Sequence, residues 1–161
     1  MPGKNKKEVY LIKILVCVDG SKQSMKAVDE AVKIAGGCNV NEVAIIHVCE
    51  SKLDWSGIPY EGSVTREDIE RLRKSLEQCN YENNEKILSE AKEIFAKNNI
   101  EVNTIFKEGH PAQTIADTAN EEGYDMVFIG SRGLGGLKKL FLGSVSNAVI
   151  QEVKSNVYVV K

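Results

Sequence analysis

Residues 125–149 read DMVFIGSRGLGGLKKLFLGSVSNAV, and this stretch decides the fold. The apolar run at 125–129 is typical of a strand that is buried on both faces of a parallel sheet. The glycines of 130–142 let a backbone approach a ligand closely, and residues 143–153 predict a helix. Because the first N–H groups of a helix favour an anion, this order of strand, loop and helix predicts a phosphate-binding site in an α/β domain.

The side chains of this stretch suit a polyphosphate. Ser144 and Ser146 add hydroxyl donors, and Arg132, Lys138 and Lys139 add positive charge. The loop differs from a Walker A loop, which requires Gly-Lys-Ser/Thr, and from the dinucleotide fingerprint, which follows the first strand. A loop whose glycines only make tight turns is the alternative that composition leaves open.

Outward from this stretch, strands and helices alternate along the sequence. This alternation predicts a parallel sheet with helices on both faces and right-handed crossovers. The strand at 100–106 has the alternating character of an edge strand, and three asparagines at 80–84 weaken the helix propensity of 66–98. The predicted strands are 11–18, 43–49, 100–106, 125–129 and 156–160, and the predicted helices are 21–37, 66–98, 109–123 and 143–153.

Length and composition predict a single cytoplasmic domain. The 161 residues suit one core at 10–161 with a flexible tail at 1–9. A formal net charge of -2 gives no reason to expect nucleic acid or an anionic membrane as a partner, and no apolar run reaches the roughly 20 residues that span a bilayer. The cysteines form no C-x-x-C pair and are expected to be small buried thiols without zinc. Residues 50–65, with Trp55, form a long connection that suggests a functional or mobile loop.

The histidines and paired acids indicate no catalytic centre. His47 lies in a predicted buried strand and is interpreted as a packed, hydrogen-bonded core residue. His110 precedes Pro111 and is interpreted as a helix-start residue. Glu121 and Glu122 lie at a helix end and are expected to be solvated. No Ser-His-Asp or Cys-His arrangement is supported by the sequence.

Several motifs of the chain resemble one known family. The spacing of Gly130, Gly133, Gly143 and Ser144 is similar to the G-2x-G-9x-G-(S/T) pattern of the universal stress protein family. The segments LVCVDGS, VAIIHVCE and TIADTANEEGYDMVFIGSRG also resemble that family in their order along the chain. The resemblance implies the ATP-binding subclass and an adenine-nucleotide alpha-hydrolase-like fold, a doubly wound sheet of five parallel strands in the order 3-2-1-4-5. In that order the topology reverses between strands 1 and 4, where ligands bind.

The resemblance also implies a set of nucleotide-binding residues. Asp19 would accept hydrogen bonds from the ribose or lie near the adenosine; capping the helix that begins at Ser21 is the alternative role. Val48 would pair its backbone with the adenine edge. These implied positions are Cys17, Val18, Asp19, Val48, Gly130, Ser131, Arg132, Gly133, Gly143, Ser144, Val145 and Ser146.

At the phosphate end, Gly130 and Gly133 would let the loop wrap the ribose and phosphates. The N–H groups of residues 143–145 would bind the phosphates, and Ser146 would reach the terminal phosphate. A Mg²⁺ ion would be held by phosphates and water, with few protein ligands.

The family resemblance implies a nucleotide-dependent stress-response or signalling switch. A slow Mg²⁺-dependent ATPase or phosphotransfer enzyme is the alternative, and a dimeric scaffold with an empty site is a third possibility. The resemblance further implies a homodimer through the last strand at 156–160. Many members carry a proline just before that strand, and here the matching stretch is Ser155, Asn156 and Val157, so the dimer geometry is left open.

Overall fold

A computed structural model describes residues 12–37, 40–50, 65–134 and 142–161. The expectations for the tail at 1–9, for Cys38, for Trp55 and residues 51–64, and for Lys138 and Lys139 lie outside these ranges. The elements are β1 (Ile12–Cys17), α1 (Lys22–Gly37), β2 (Val40–Cys49), α2 (Arg66–Lys97), β3 (Asn103–Glu108), α3 (Pro111–Glu121), β4 (Met126–Gly130), α4 (Ser144–Glu152) and β5 (Asn156–Val160).

The five strands form one parallel sheet in the order β3-β2-β1-β4-β5, as predicted. The predicted edge strand, β3, lies at one edge and β5 at the other. β1 is central, with Cys17 opposite Ile46 of β2 and Val16 opposite Phe128 of β4. The carboxyl ends of β1 and β4 therefore lie side by side, at the point where the chain crossovers change direction.

The sheet has a core on each face. Alternate residues of β1 enter different cores, because successive side chains of a strand point to opposite faces. Ile14 and Val16 pack with α1 and α2 residues such as Val28 and Phe95. Leu15 and Cys17 belong to the core on the α3 and α4 face. This arrangement confirms the doubly wound prediction.

The starts of two strands differ from the predicted ones by three residues. β2 begins at Val40, three residues before the predicted start, and β3 begins at Asn103 instead of 100. The end of α2 explains the second shift: Asn99 has a φ of 57° and the Ile100 N–H bonds to the Phe95 carbonyl at 3.1 Å. Residues up to 102 are therefore used to end the helix and turn the chain.

α2 is continuous from Arg66 to Lys97, despite its asparagines. Thr65 and Asp68 form a capping box at its start, and side-chain bonds such as Gln78 to Glu82 at 2.9 Å support the exposed face. Its buried residues, Ile87, Ala91 and Phe95, all lie in the last third. The first two thirds of α2 thus carry no buried side chain among their residues, and local interactions support most of their length.

The cysteine prediction holds for only part of the chain. Cys17 is buried, Cys49 is partly buried, and Cys79 is exposed on α2. The expectation of a small buried thiol is therefore wrong for Cys79, since the part of α2 that carries it does not pack on the sheet.

Within the described residues, no helix is both long enough and apolar enough to cross a bilayer.

Candidate functional site

A crevice of about 280 Å³ opens at the carboxyl ends of β1 and β4. It forms there because the chain leaves β1 towards α1 on one face of the sheet and leaves β4 towards α4 on the other. The lining residues are Cys17, Val18, Asp19, Ser24, Ile46, Val48, Pro111, Ile115, Ile129, Gly130, Arg132, Gly133, Leu134, Gly143, Ser144, Val145 and Ser146.

One side of the crevice is apolar. Ile46 and Val48 come from β2, Ile129 comes from β4, and Ile115 comes from α3. Cys17 completes this wall, and burial, reinforced by the nearby Asp19 carboxylate, raises the pKa of its thiol. Because the thiolate is the nucleophilic form, Cys17 acts here as an apolar surface and not as a reactive group.

Asp19 is fixed in position by the start of α1. Its Oδ1 accepts a hydrogen bond from the Ser21 N–H at 2.9 Å, and its own N–H donates to Ser24 Oγ at 3.3 Å. The other carboxylate oxygen, Oδ2, lies against Gly133, where a Cβ atom would overlap with it. Asp19 thus positions Ser21, whose hydroxyl caps α1 by accepting from the Ser24 N–H at 3.1 Å, and still lines the crevice.

The start of α4 has no side-chain cap. Its N-cap residue is Gly143, with extended backbone (φ −62°, ψ 153°), and the Gly143 N–H donates to the Ser131 carbonyl at 2.8 Å. The next three residues, 144–146, line the crevice, and the first N–H groups of a helix have no acceptor within the helix. Their aligned dipoles give this corner partial positive charge, which suits an anionic group.

Two glycines of the loop serve different purposes. A Cβ at Gly130 would lie 2.8 Å from backbone atoms of Gln23 and Ser24, so Gly130 lets α1 pack closely on β4. The predicted role of wrapping the ligand therefore fits Gly133, next to Asp19, better than it fits Gly130. A Cβ at Gly143 would meet Arg132 Cα at 3.4 Å, so that position has room for a small side chain.

Two serines of the predicted site, Ser131 and Ser146, make hydrogen bonds within the protein. Ser131 does not line the crevice; its N–H donates to the Val160 carbonyl at 2.6 Å, which ties the loop to β5. Ser146 lines the crevice, but its hydroxyl donates to the Gly130 carbonyl at 2.7 Å. The predicted contact of the Ser146 hydroxyl with a terminal phosphate is therefore not supported, although its N–H belongs to the first turn of α4.

Among the described residues, the structure brings every predicted site residue except Ser131 into the lining of one crevice. Sequence reasoning missed a polar residue of α1, Ser24, and several apolar residues. A signal was available for Pro111 and Ile115: in a 3-2-1-4-5 sheet the crossover from strand 3 to strand 4 passes over strand 1, so the buried face of the helix at 109–123 is expected to reach the crevice. The missed lining residues are Ser24, Ile46, Pro111, Ile115, Ile129 and Leu134.

The two histidines lie where the sequence placed them. His47 is 6 % exposed, with Nδ1 2.7 Å from the Val18 carbonyl oxygen and Nε2 2.9 Å from Asn84 Oδ1. His110 is the N-cap residue of α3 and makes no side-chain cap bond. In the described ranges, no three His, Cys, Asp or Glu side chains cluster in a way that could hold a metal ion.

The sequence and the fold match known proteins. Residues 12–161 match the model of the universal stress protein family. The chain is 37 % identical over 143 residues to universal stress protein YxiE of Bacillus subtilis, covering 86 % of this chain and 91 % of YxiE.

Solved structures agree with this match. The structure of MJ0577, a universal stress protein of Methanocaldococcus jannaschii, superposes with a TM-score of 0.71 at 26 % identity, over 93 % of this chain and 95 % of that one. A universal stress protein of Archaeoglobus fulgidus in complex with dAMP shares the fold, with a TM-score of 0.58 at 22 % identity over 95 % of this chain and 99 % of that one. The chain belongs to the universal stress protein family.

Proposed function

We propose that the crevice binds an adenine nucleotide, ATP with Mg²⁺, and that the protein acts as a nucleotide-dependent switch in stress response or signalling. The observation that carries the proposal is the uncapped start of α4, whose first residues, 144–146, line the same crevice as the Asp19 carboxylate. The free N–H groups and dipole of an uncapped helix start can bind phosphate, and a fixed carboxylate beside it can accept hydrogen bonds from ribose hydroxyl groups.

The remaining walls suit the nucleoside. The apolar side, which includes Ile46, Val48 and Ile115, offers a surface for a purine ring. A volume of about 280 Å³ lies near the lower end of small-molecule pockets. Asp19 is the single carboxylate among the described residues of the lining, so a Mg²⁺ ion would take most of its ligands from phosphates and water. The dAMP complex of an Archaeoglobus fulgidus relative supports the choice of adenine.

The hydrogen bonding of the Asp19 carboxylate favours nucleotide binding over catalysis. Phosphoryl transfer needs a group that orients the attacking water or hydroxyl. Asp19 is the single carboxylate of the described lining; its Oδ1 accepts from the Ser21 N–H at 2.9 Å, and the proposal assigns its remaining acceptor capacity to the ribose hydroxyl groups instead of an attacking water. The proposal therefore assigns the protein a slow or absent turnover, with the conformational response to nucleotide as its output.

The proposal includes a cytoplasmic homodimer that pairs through β5. β5 is an edge strand, and an unpaired strand edge favours association. Tyr158, 41 % exposed, stacks on the buried Phe128 with ring centroids 4.7 Å apart and offers an apolar surface at that edge. The described cysteines are free thiols, as expected in a reducing compartment. Light scattering of wild type and Tyr158→Lys tests the dimer: the substitution is expected to shift it to monomer.

The test of the function is to purify the protein natively, denature it, and identify any released nucleotide by chromatography and mass. The Gly133→Val variant, purified in parallel, is the control, because its new side chain would displace Asp19. ATP near one per chain, absent from the control, is the expected result. ADP instead would favour the ATPase. No released nucleotide, with no melting shift on adding Mg²⁺-ATP, would contradict the proposal.

A further inference from the structure

We propose that one turn of α2, from Asn84 to Ile87, couples nucleotide binding in the crevice to the packing of α2 against the sheet. The inference rests on the proposed function of the crevice and names the element that reports its occupancy. Asn84 and Ile87 are three residues apart and so lie on the same face of the helix. Asn84 connects through His47 to Val18, the residue before Asp19, and Ile87 contacts Gly20, the residue after it.

The first connection is a polar chain through the buried His47. The His47 Nδ1–H donates to the Val18 carbonyl at 2.7 Å, and Nε2 lies 2.9 Å from the Asn84 side-chain amide. Nε2 faces Asn84 Oδ1; a side-chain amide offers an acceptor oxygen and a donor NH₂ that exchange places by a rotation of 180°, so Asn84 can pair with either tautomer of the ring. The chain thus runs from α2 to the peptide that joins Val18 to Asp19.

The second connection is a close apolar contact at Gly20. Gly20 has a φ of 79°, and a Cβ there would lie 3.1 Å from Ile87 Cδ1 and Cγ1. Ile87 is 7 % exposed and belongs to the core on the α1 and α2 face. The glycine is therefore required both by its left-handed backbone and by the approach of Ile87. α2 thus contacts the residues on either side of Asp19 in the sequence, Val18 through His47 and Gly20 through Ile87.

The same turn marks where α2 begins to be buried. No residue from 65 to 86 is buried, whereas Ile87, Ala91 and Phe95 are. Residues 66–83, which span roughly 27 Å at 1.5 Å per residue, therefore precede the part of α2 whose side chains are buried against the rest of the domain. A ligand that bonds to the Asp19 carboxylate further restrains residues 18–20 and so strengthens their contacts with the Asn84 turn, and by linkage firm packing of that turn strengthens ligand binding.

The test compares Asn84→Ala with Asn83→Ala. Asn83 is the adjacent, exposed asparagine, so both variants change helix propensity equally and only one breaks the chain to His47. Titration calorimetry with Mg²⁺-ATP is expected to show about fivefold weaker binding in Asn84→Ala and unchanged binding in Asn83→Ala. Amide hydrogen exchange in wild type is expected to slow at residues 84–95 when Mg²⁺-ATP is added, and this response is expected to be lost in Asn84→Ala.

The outcomes separate this inference from the proposed function. Wild type that binds no Mg²⁺-ATP contradicts the proposed function and removes the basis of the coupling. Wild type that binds, with equal affinity in Asn84→Ala and no change in exchange along α2, contradicts the coupling alone. If Asn84→Ala does not fold, the exchange experiment on wild type decides: unchanged exchange at 84–95 on binding overturns the coupling.

Discussion

The starts of α1 and α4 lie at the same crevice, yet side chains cap the start of α1 and no side chain caps the start of α4. At α1, Ser21 Oγ accepts from the Ser24 N–H at 3.1 Å, and Asp19 Oδ1 accepts from the Ser21 N–H at 2.9 Å. At α4, the N-cap residue Gly143 supplies no side-chain acceptor. An N-cap side chain stabilises a helix by about 1 kcal/mol relative to alanine. The contrast teaches that α1 is built for stability, whereas α4 keeps its first turn available for an anion.

The largest effect is expected from filling the space between the two helix starts. A valine at Gly133 overlaps the Asp19 carboxylate and either moves Asp19 or closes the crevice. We expect Gly133→Val to weaken Mg²⁺-ATP binding by about 100-fold or more, which corresponds to losing one or two charge-assisted hydrogen bonds. Calorimetry measures this. Gly36→Val is the control, since a Cβ at Gly36 meets nothing within 4 Å; equal affinity in the two variants would argue against the site.

A cap added to α4 makes it resemble α1. In Gly143→Asp the carboxylate can accept from the N–H groups of the first turn and carries a charge that repels phosphate. We expect thermal unfolding to show a gain of a few tenths of a kcal/mol, while the affinity for Mg²⁺-ATP falls about 30-fold. Gly143→Ala, for which Arg132 Cα at 3.4 Å leaves room, is the uncharged control. A variant that gains stability and still binds as wild type does would refute the role of α4.

A single backbone donor can be removed at Ser144. Proline is tolerated at the first position of a helix, and Gly143 already has the extended backbone (φ −62°, ψ 153°) that a residue before proline adopts. Ser144→Pro is expected to weaken Mg²⁺-ATP binding about tenfold, because one N–H to a charged group is lost. Ser144→Ala removes the hydroxyl group alone and is expected to have a smaller effect. Equal losses in the two variants would assign the contact to the hydroxyl group instead.

The smallest effect on binding is expected at the cap of α1. Ser21→Ala removes the acceptor for the Ser24 N–H and is expected to lower the free energy of unfolding by about 1 kcal/mol. Denaturant unfolding measures this loss. Nucleotide affinity is expected to change by about twofold or less, since Ser21 is absent from the crevice lining. A large loss of affinity with little loss of stability would mean that α1, too, contributes to the phosphate site.

Local patterns predicted the parallel α/β sheet and the glycine-rich loop, whereas the strand order and most of the residues that line the crevice were implied by the family resemblance. The apolar runs and their alternation with helices predict the parallel sheet, and the spacing of Gly130, Gly133 and Gly143 locates the loop. Sequence could not show that Gly130 is needed to pack α1 on β4 or that the Ser131 N–H bonds to Val160. Both depend on distant segments that only the folded chain brings together.

The hydrogen-bond partners of Ser146 and His47 could not be predicted from the sequence either. The Ser146 hydroxyl looked available for phosphate because its partner, the Gly130 carbonyl, lies 16 positions away. The burial of His47 was predictable from its strand, whereas its partners, Val18 and Asn84, lie 29 and 37 positions away. Residue types predicted that these groups would need partners, but only the tertiary structure identifies them.

The most direct test is to follow the backbone amide signals by NMR as Mg²⁺-ATP is added. If the phosphates bind at the uncapped helix start, the amides of residues 144–146 are expected to shift most, because new acceptors reach their N–H groups. The amides of Ser21 and Ser24, which already have side-chain acceptors, are expected to shift little. Shifts that are confined to α1, or no shift at either helix start at saturating nucleotide, would contradict the account.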